Sequence, residues 1–162
     1  MNRRALGTPS PLIAAVLRRD AQALAATIAA GANVNESNGD GRTALHHVAI
    51  NGDADSTATL LEAGAQANLG DAAGWTALHF AAGEHHLAVA ELLLRAGAAV
   101  DSEDAHGNTP LSRAVFESRG RGEMIHLLRQ HGADSSHANR HGVSPAGLAA
   151  TIANYDVTTW FQ

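Results

Sequence analysis

The chain has 162 residues, 45% hydrophobic and 17% charged, which is enough for one domain with a continuous core and too little for two of ordinary size. A net charge of −5 argues against a nucleic-acid binder, since phosphate neutralisation needs a clustered excess of basic residues, and the absence of cysteine excludes disulfides, thiolate nucleophiles and thiolate metal sites. With aromatics at 4% and much alanine, side-chain volume is small, so closely packed helices are favoured over a sheet.

All 11 basic residues are arginine, which with the alanine content points to a GC-rich, bacterial genome and excludes lysine-based Schiff-base chemistry. Met1-Asn2-Arg3-Arg4 precedes an apolar run at 11–17, but prolines interrupt its approach and Arg18-Arg19-Asp20 closes it without a small-residue cleavage site. A cytoplasmic protein is therefore expected. No segment approaches the roughly 20 apolar residues that a membrane-spanning helix requires.

The first predicted helix opens at Ser10-Pro11-Leu12, and the same phrase returns as Thr43-Ala44-Leu45-His46, Thr76-Ala77-Leu78-His79, Thr109-Pro110-Leu111-Ser112 and Ser144-Pro145-Ala146. Separations between the opening hydroxyl residues are 33, 33, 33 and 35. Each Ser or Thr is placed to cap a helix by accepting an orphan backbone N–H, and Pro11, Pro110 and Pro145 occupy the first helical position, where the missing N–H costs nothing. Leu12, Leu45, Leu78 and Leu111 are the expected core, with Ala15, Ala49, Ala82 and Val115 holding paired helices close.

A second helix follows each first one and is stopped by Gly31, Gly64, Gly97 or Gly132, where glycine supplies a left-handed cap. Beyond it come turns of the form Asp/Asn-x-x-Gly at 38–41, 71–74, 104–107 and 139–142. The second of these helices, over 54–62, carries Ser56, Thr57 and Thr59 where apolar residues are usual, so weak packing is expected there. The two residues that lengthen the fourth unit are placed around 116–122.

This pattern resembles the ankyrin repeat, whose period is 33 and whose signature is T-P-L-H-x-A. The resemblance covers residues 8–162 and implies a single all-α solenoid of stacked helix-turn-helix units with short β-hairpin fingers, spanning 1–162. Five repeats are expected, at about 8–35, 36–68, 69–101, 102–136 and 137–162, the last ending inside its second helix. It also implies a structural hydrogen bond from His46 and His79 to their caps, and a second-helix role for His86. Asn35, Asn68 and Asp101 fall where ankyrin proteins of animals can be hydroxylated, but hydrogen bonding within the finger is the expected role.

Ten histidines raise the alternative of a metal-dependent or enzymatic protein. The adjacent pairs His46-His47 and His85-His86 are poor chelates, because facing positions on a helix are three or four apart. His131, His137 and His141 have no recognised zinc spacing. No motif assembles a nucleophile, base and oxyanion hole, so no enzyme activity, cofactor or metal is expected.

Ankyrin proteins bind other proteins through the concave groove, and the resemblance carries that role to Asp40, Arg42, Ile50, Asn51, Trp75, Glu84, His106, Asn108, Phe116, Glu117, Arg140 and His141, positions expected to be free of packing duty. Trp75, between Gly74 and Thr76, is either a binding anchor or a side chain folded onto an adjacent finger. Phe116 beside the loop containing Arg119 and Arg121 suits an acidic partner. Trp160-Phe161 either cover the last helix pair or form a dimerising end; a monomer is expected. The function implied is that of a protein-binding adaptor or inhibitor, with host-directed effector and toxin antidote as narrower variants, and with neither nucleic acid nor membrane as partner.

Overall fold

The computed structural model describes residues 9–152 and 158–161. Four helix pairs follow one another: α1 (Pro11–Leu17) with α2 (Ala21–Ala29), α3 (Ala44–Asn51) with α4 (Ala54–Glu62), α5 (Ala77–Gly83) with α6 (Leu87–Arg95), and α7 (Pro110–Phe116) with α8 (Glu123–Gln130). A ninth helix, α9 (Pro145–Thr151), is followed by a 3-10 turn over Thr158–Phe161. The expected second helix of the fifth repeat falls largely on 153–157, outside the described residues, and the turn after it does not continue an α-helix.

Helices of this length, 7 to 9 residues, are marginal in isolation and depend on tertiary packing. They obtain it in two layers. The first helices α1, α3, α5, α7 and α9 stack in order, the second helices α2, α4, α6 and α8 stack in order behind them, and each pair closes across the gap. Leu12, Leu45, Leu78 and Leu111 lie in that gap almost wholly out of water, with Ala15, Ala49, Ala82 and Val115 beside them. This is the all-α solenoid that the repeated phrase implies.

The caps form as the hydroxyl spacing requires. The side chains of Ser10, Thr109 and Ser144 accept from the backbone N–H groups of Ile13, Ser112 and Gly147. In α3 and α5 the cap is reciprocal, because His46 and His79 return a ring nitrogen to the N–H of Thr43 and Thr76. Gly64 ends α4 with φ of 90°, a left-handed value that a side chain would oppose.

Two expectations need correction, and a third, the polar helix α4, takes a form that its composition does not show. The fingers are turns rather than β-hairpins: among the described residues the single strand-like pairing is an isolated bridge between Ser37 and Thr43. In that finger the turn closes through the Asn38 N–H on the Arg42 carbonyl and the Gly41 N–H on the Asn38 carbonyl, and the pairing extends only one step further, to the cap Thr43. The polar face of α4 is better accommodated than its composition predicts. Ser56 and Thr57 are buried, the Thr57 hydroxyl donates to the Asp53 carbonyl at 2.6 Å, and that of Thr59 donates to the Asp55 carbonyl at 3.0 Å, so these hydroxyls are satisfied within their own helix.

Asn35, Asn68 and Asp101 bond across repeats rather than within a finger. The Asn35 carbonyl oxygen accepts from the Gln66 N–H at 2.8 Å while its amide donates to the Gly64 carbonyl at 3.4 Å. Asn68 repeats this on Ala99 and Gly97, and Asp101 accepts from the Asp134 N–H. Each side chain thus ties one repeat to the loop that ends the next.

The longer fourth unit places its extra length between α7 and α8, at 117–122, where Arg119 and Gly120 both have positive φ. At the C-terminal end Phe161 packs against the core, while Trp160 lies over Gly122 and its carbonyl accepts from Arg129. The aromatic pair therefore covers the end of the last described helices, with Trp160 still partly exposed.

Candidate functional site

The finger turns share one local design. The side-chain oxygen of Asn38, Asp71, Asp104 or Asn139 accepts from the N–H groups two and four residues on, at 2.8 to 3.0 Å. That is why Asp or Asn opens every turn. Neighbouring turns are then joined by backbone bonds: Ala72 N–H to the Asp40 carbonyl, Ala105 to Ala73, and Arg140 to His106, at 2.9 to 3.0 Å. Gly74 permits this approach, since a Cβ there would meet the Ala105 nitrogen at 3.1 Å.

Histidines fasten the fingers to the helices. Nδ1 of His46 accepts the Thr43 N–H at 3.0 Å, which leaves the proton on Nε2, and that N–H donates to the Trp75 carbonyl of the next finger at 3.0 Å. His79 does the same between Thr76 and the Asn108 carbonyl. Burial lowers both imidazole pKa values below the ordinary 6.5, against the carbonyl bonds, which raise them, so both rings are held neutral. Asp71 titrates below its ordinary value: burial opposes this, but the N–H groups of Ala73 and Trp75 and the Arg42 guanidinium outweigh it.

On this frame stands a row of alternating arginine and aromatic side chains. The Arg42 guanidinium lies 4.9 Å from the centre of the Phe80 ring while pairing with Asp71 at 3.1 Å. Phe80 and Trp75 touch at 4.9 Å, the Arg113 guanidinium lies 4.4 Å over Trp75, and Phe116 lies 5.5 Å beyond it. The row crosses from the finger of the second unit to the end of α7, on the side of the first helices that carries the finger turns. It ends in an open pocket of about 300 Å³ between α7, α9 and the fourth finger, lined among others by Phe116, Val143 and Leu148. A second, polar depression beside it is lined by Gly83, Glu84, Glu117, Arg119 and Arg121.

A family profile described as ankyrin repeats in three copies matches residues 12–104 and again residues 60–139. The chain belongs to the ankyrin-repeat family. No curated protein matches it. Ankyrin repeats are generally protein–protein interaction modules, and the surface that this ankyrin-repeat protein offers can be read residue by residue.

Of the residues expected to bind a partner, Asp40, Glu84, His106, Phe116, Arg119, Arg121, Arg140 and His141 are exposed. His106 and His141 stack with ring centres 6.4 Å apart. Glu117 is half-buried and pairs with Arg113 at 3.4 Å. The others carry packing duty that was not expected. Arg42 is committed to Asp71 and Phe80, the carbonyl of Ile50 accepts from His86, and the Asn108 side chain bonds both Asp104 and Asn139. Asn51 is half-buried at the end of α3. Trp75 is half-buried as well, resting on His79 and Phe80 of its own repeat and on Arg113 of the next, rather than on an adjacent finger.

Arg113 and Leu148 belong to the same surface and were not marked, and neither was Phe80, which is buried with the core and backs Trp75. The signal was available: His47, Phe80, Arg113 and Leu148 each stand four residues after their cap, the variable position of the family signature, and equal register puts them on one face of successive first helices.

Among the described residues no three His, Asp or Glu side chains gather to hold a metal ion. The three histidines of the fourth loop separate onto different partners: His131 to Glu91 at 3.5 Å, His137 to Glu103 at 3.0 Å, and His141 to His106. Among the described residues no helix is long and apolar enough to cross a membrane.

Proposed function

We propose that this ankyrin-repeat protein is a monomeric, cytoplasmic adaptor or inhibitor that holds a partner protein against its finger turns and first helices. The observation that carries the reading is the arginine–aromatic row from Arg42 to Phe116, in which Arg42, Trp75 and Arg113 stand half-buried over the core residue Phe80 and which ends in an exposed phenylalanine. Aromatic and arginine side chains dominate interface hot spots because they supply large contact area at little entropic cost, and side chains already held in place lose less on binding.

Affinity capture of a partner from the native cell tests this. Tagged wild-type protein and a Leu87→Asp variant, altered among the second helices, should retain the same partner. An Asp40→Arg/His106→Glu variant, altered at two exposed finger turns, should lose it while melting as wild type. Retention by the finger variant, or loss by Leu87→Asp, would assign binding to another face.

A further inference from the structure

We propose that the pocket between α7, α9 and the fourth finger is an anchor site for an acidic, extended peptide segment of the partner: one apolar side chain enters the pocket, and carboxylates beside it in the partner's sequence meet the surrounding arginines. The inference rests on the reading above and names the chemistry of what the groove holds.

Size decides the occupant first. A volume of about 300 Å³ lies at the lower limit of small-molecule sites and suits one or two side chains better than a cofactor. Surface character comes next. Phe116 is 62% exposed and Val143 40%, which places two of the most exposed large apolar side chains of the described structure on one pocket, which Leu148 also lines. Exposed apolar surface gathered in a concavity with a polar rim marks a docking site. Asn108, Ser112 and Asn139 form the polar part of the lining, their side chains held by bonds within the protein.

Charge decides the rest. In a chain of net charge −5, Arg113 in the lining, Arg119 and Arg121 in the neighbouring depression, and Arg140 on the adjoining finger outnumber Glu84 and Glu117. The Arg113 guanidinium lies 4.4 Å from the centre of the Trp75 ring and 5.5 Å from that of Phe116, and its ion pair with Glu117 is long at 3.4 Å. A carboxylate brought by a ligand would meet a guanidinium whose donors are incompletely used. Arg119 sits at φ of 49° beside Gly120, in the loop made by the two additional residues, so the longer fourth unit is what places this charge in the depression next to the pocket.

The test is selection of a displayed library of random dodecapeptides on the whole protein, followed by anisotropy titration of the enriched peptides. Enrichment of an apolar residue with Asp or Glu within three positions is expected, with affinity falling as salt rises, because exposed charge pairs are screened. Phe116→Ala and Arg119→Glu/Arg121→Glu, all at exposed positions, should each weaken binding about tenfold or more, the loss of one hot-spot contact, with the helical circular-dichroism spectrum of the wild type retained. Enrichment of basic or uncharged peptides, absence of enrichment, binding indifferent to Phe116→Ala, or a dimer that Phe116→Ala dissolves would each overturn the proposal. If the partner captured from cells still depends on Asp40 and His106 while the peptides fail, the groove reading stands and this inference alone falls.

Discussion

The Arg113 guanidinium lies 4.4 Å over the ring of Trp75, joining the second finger to the first helix of the fourth repeat. Cation–π contacts of this kind contribute about 0.5 to 2 kcal/mol, and the Phe80–Trp75 contact adds to it. Trp75→Ala should therefore lower stability by about 1 to 3 kcal/mol, whereas Trp75→Phe should keep most of it. Denaturant unfolding checks this, and an alanine variant as stable as wild type would show that the stacked row contributes nothing to the free protein.

Leu78→Ala and Leu93→Ala should each destabilise the solenoid by about 2 to 5 kcal/mol, since both side chains are fully buried in the gap between helix layers. Stability in such stacks sums repeat and interface terms, so loss in the central unit weakens both neighbours. Thermal melting like that of wild type would contradict this packing.

Stability should fall as pH drops below 6.5. His46 and His79 have folded pKa values lowered by burial, whereas the unfolded chain takes up protons near the ordinary value of 6.5. The unfolded state then binds more protons in the window below 6.5, so the stabilisation is complete above that pH and is lost as pH falls towards the folded values. Denaturant midpoints measured from pH 7.5 to 5.0 should decline. A flat profile would mean that the two imidazoles accept protons without breaking their cap and carbonyl bonds.

Helix α4 should exchange its amides faster than α6. Its hydroxyls are satisfied, yet Leu60 is its one large buried apolar side chain, against Val89, Leu93 and Leu94 in α6. Fewer buried apolar contacts mean a lower local opening free energy. Slower exchange over Ala54–Glu62 than over Leu87–Arg95 would show that the hydroxyl bonds compensate fully.

Much of the fold was legible because caps, leucines and glycines are local signals repeated at a fixed period: Thr76, Leu78 and Gly97 each declare a role within a few residues. What was not legible depends on contacts between units. Asn35 looks like a finger residue until the Gln66 N–H is brought to it, and the hydroxyls of Thr57 and Thr59 look like defects until their helix turns them onto its own carbonyls. Trp75 could have faced outward on sequence grounds. Its half-buried position follows from Phe80 and Arg113, whose shared register the sequence shows but whose contacts with Trp75 it does not.

The most direct test of the central claim is an amide-exchange footprint of the complex between this protein and its captured partner. Binding through the groove predicts protection of the finger turns at 71–75, 104–108 and 139–143 and of the first helices α5 and α7, with α2, α4, α6 and α8 exchanging as in the free protein. Protection confined to the second helices, with the finger turns unchanged, would contradict it.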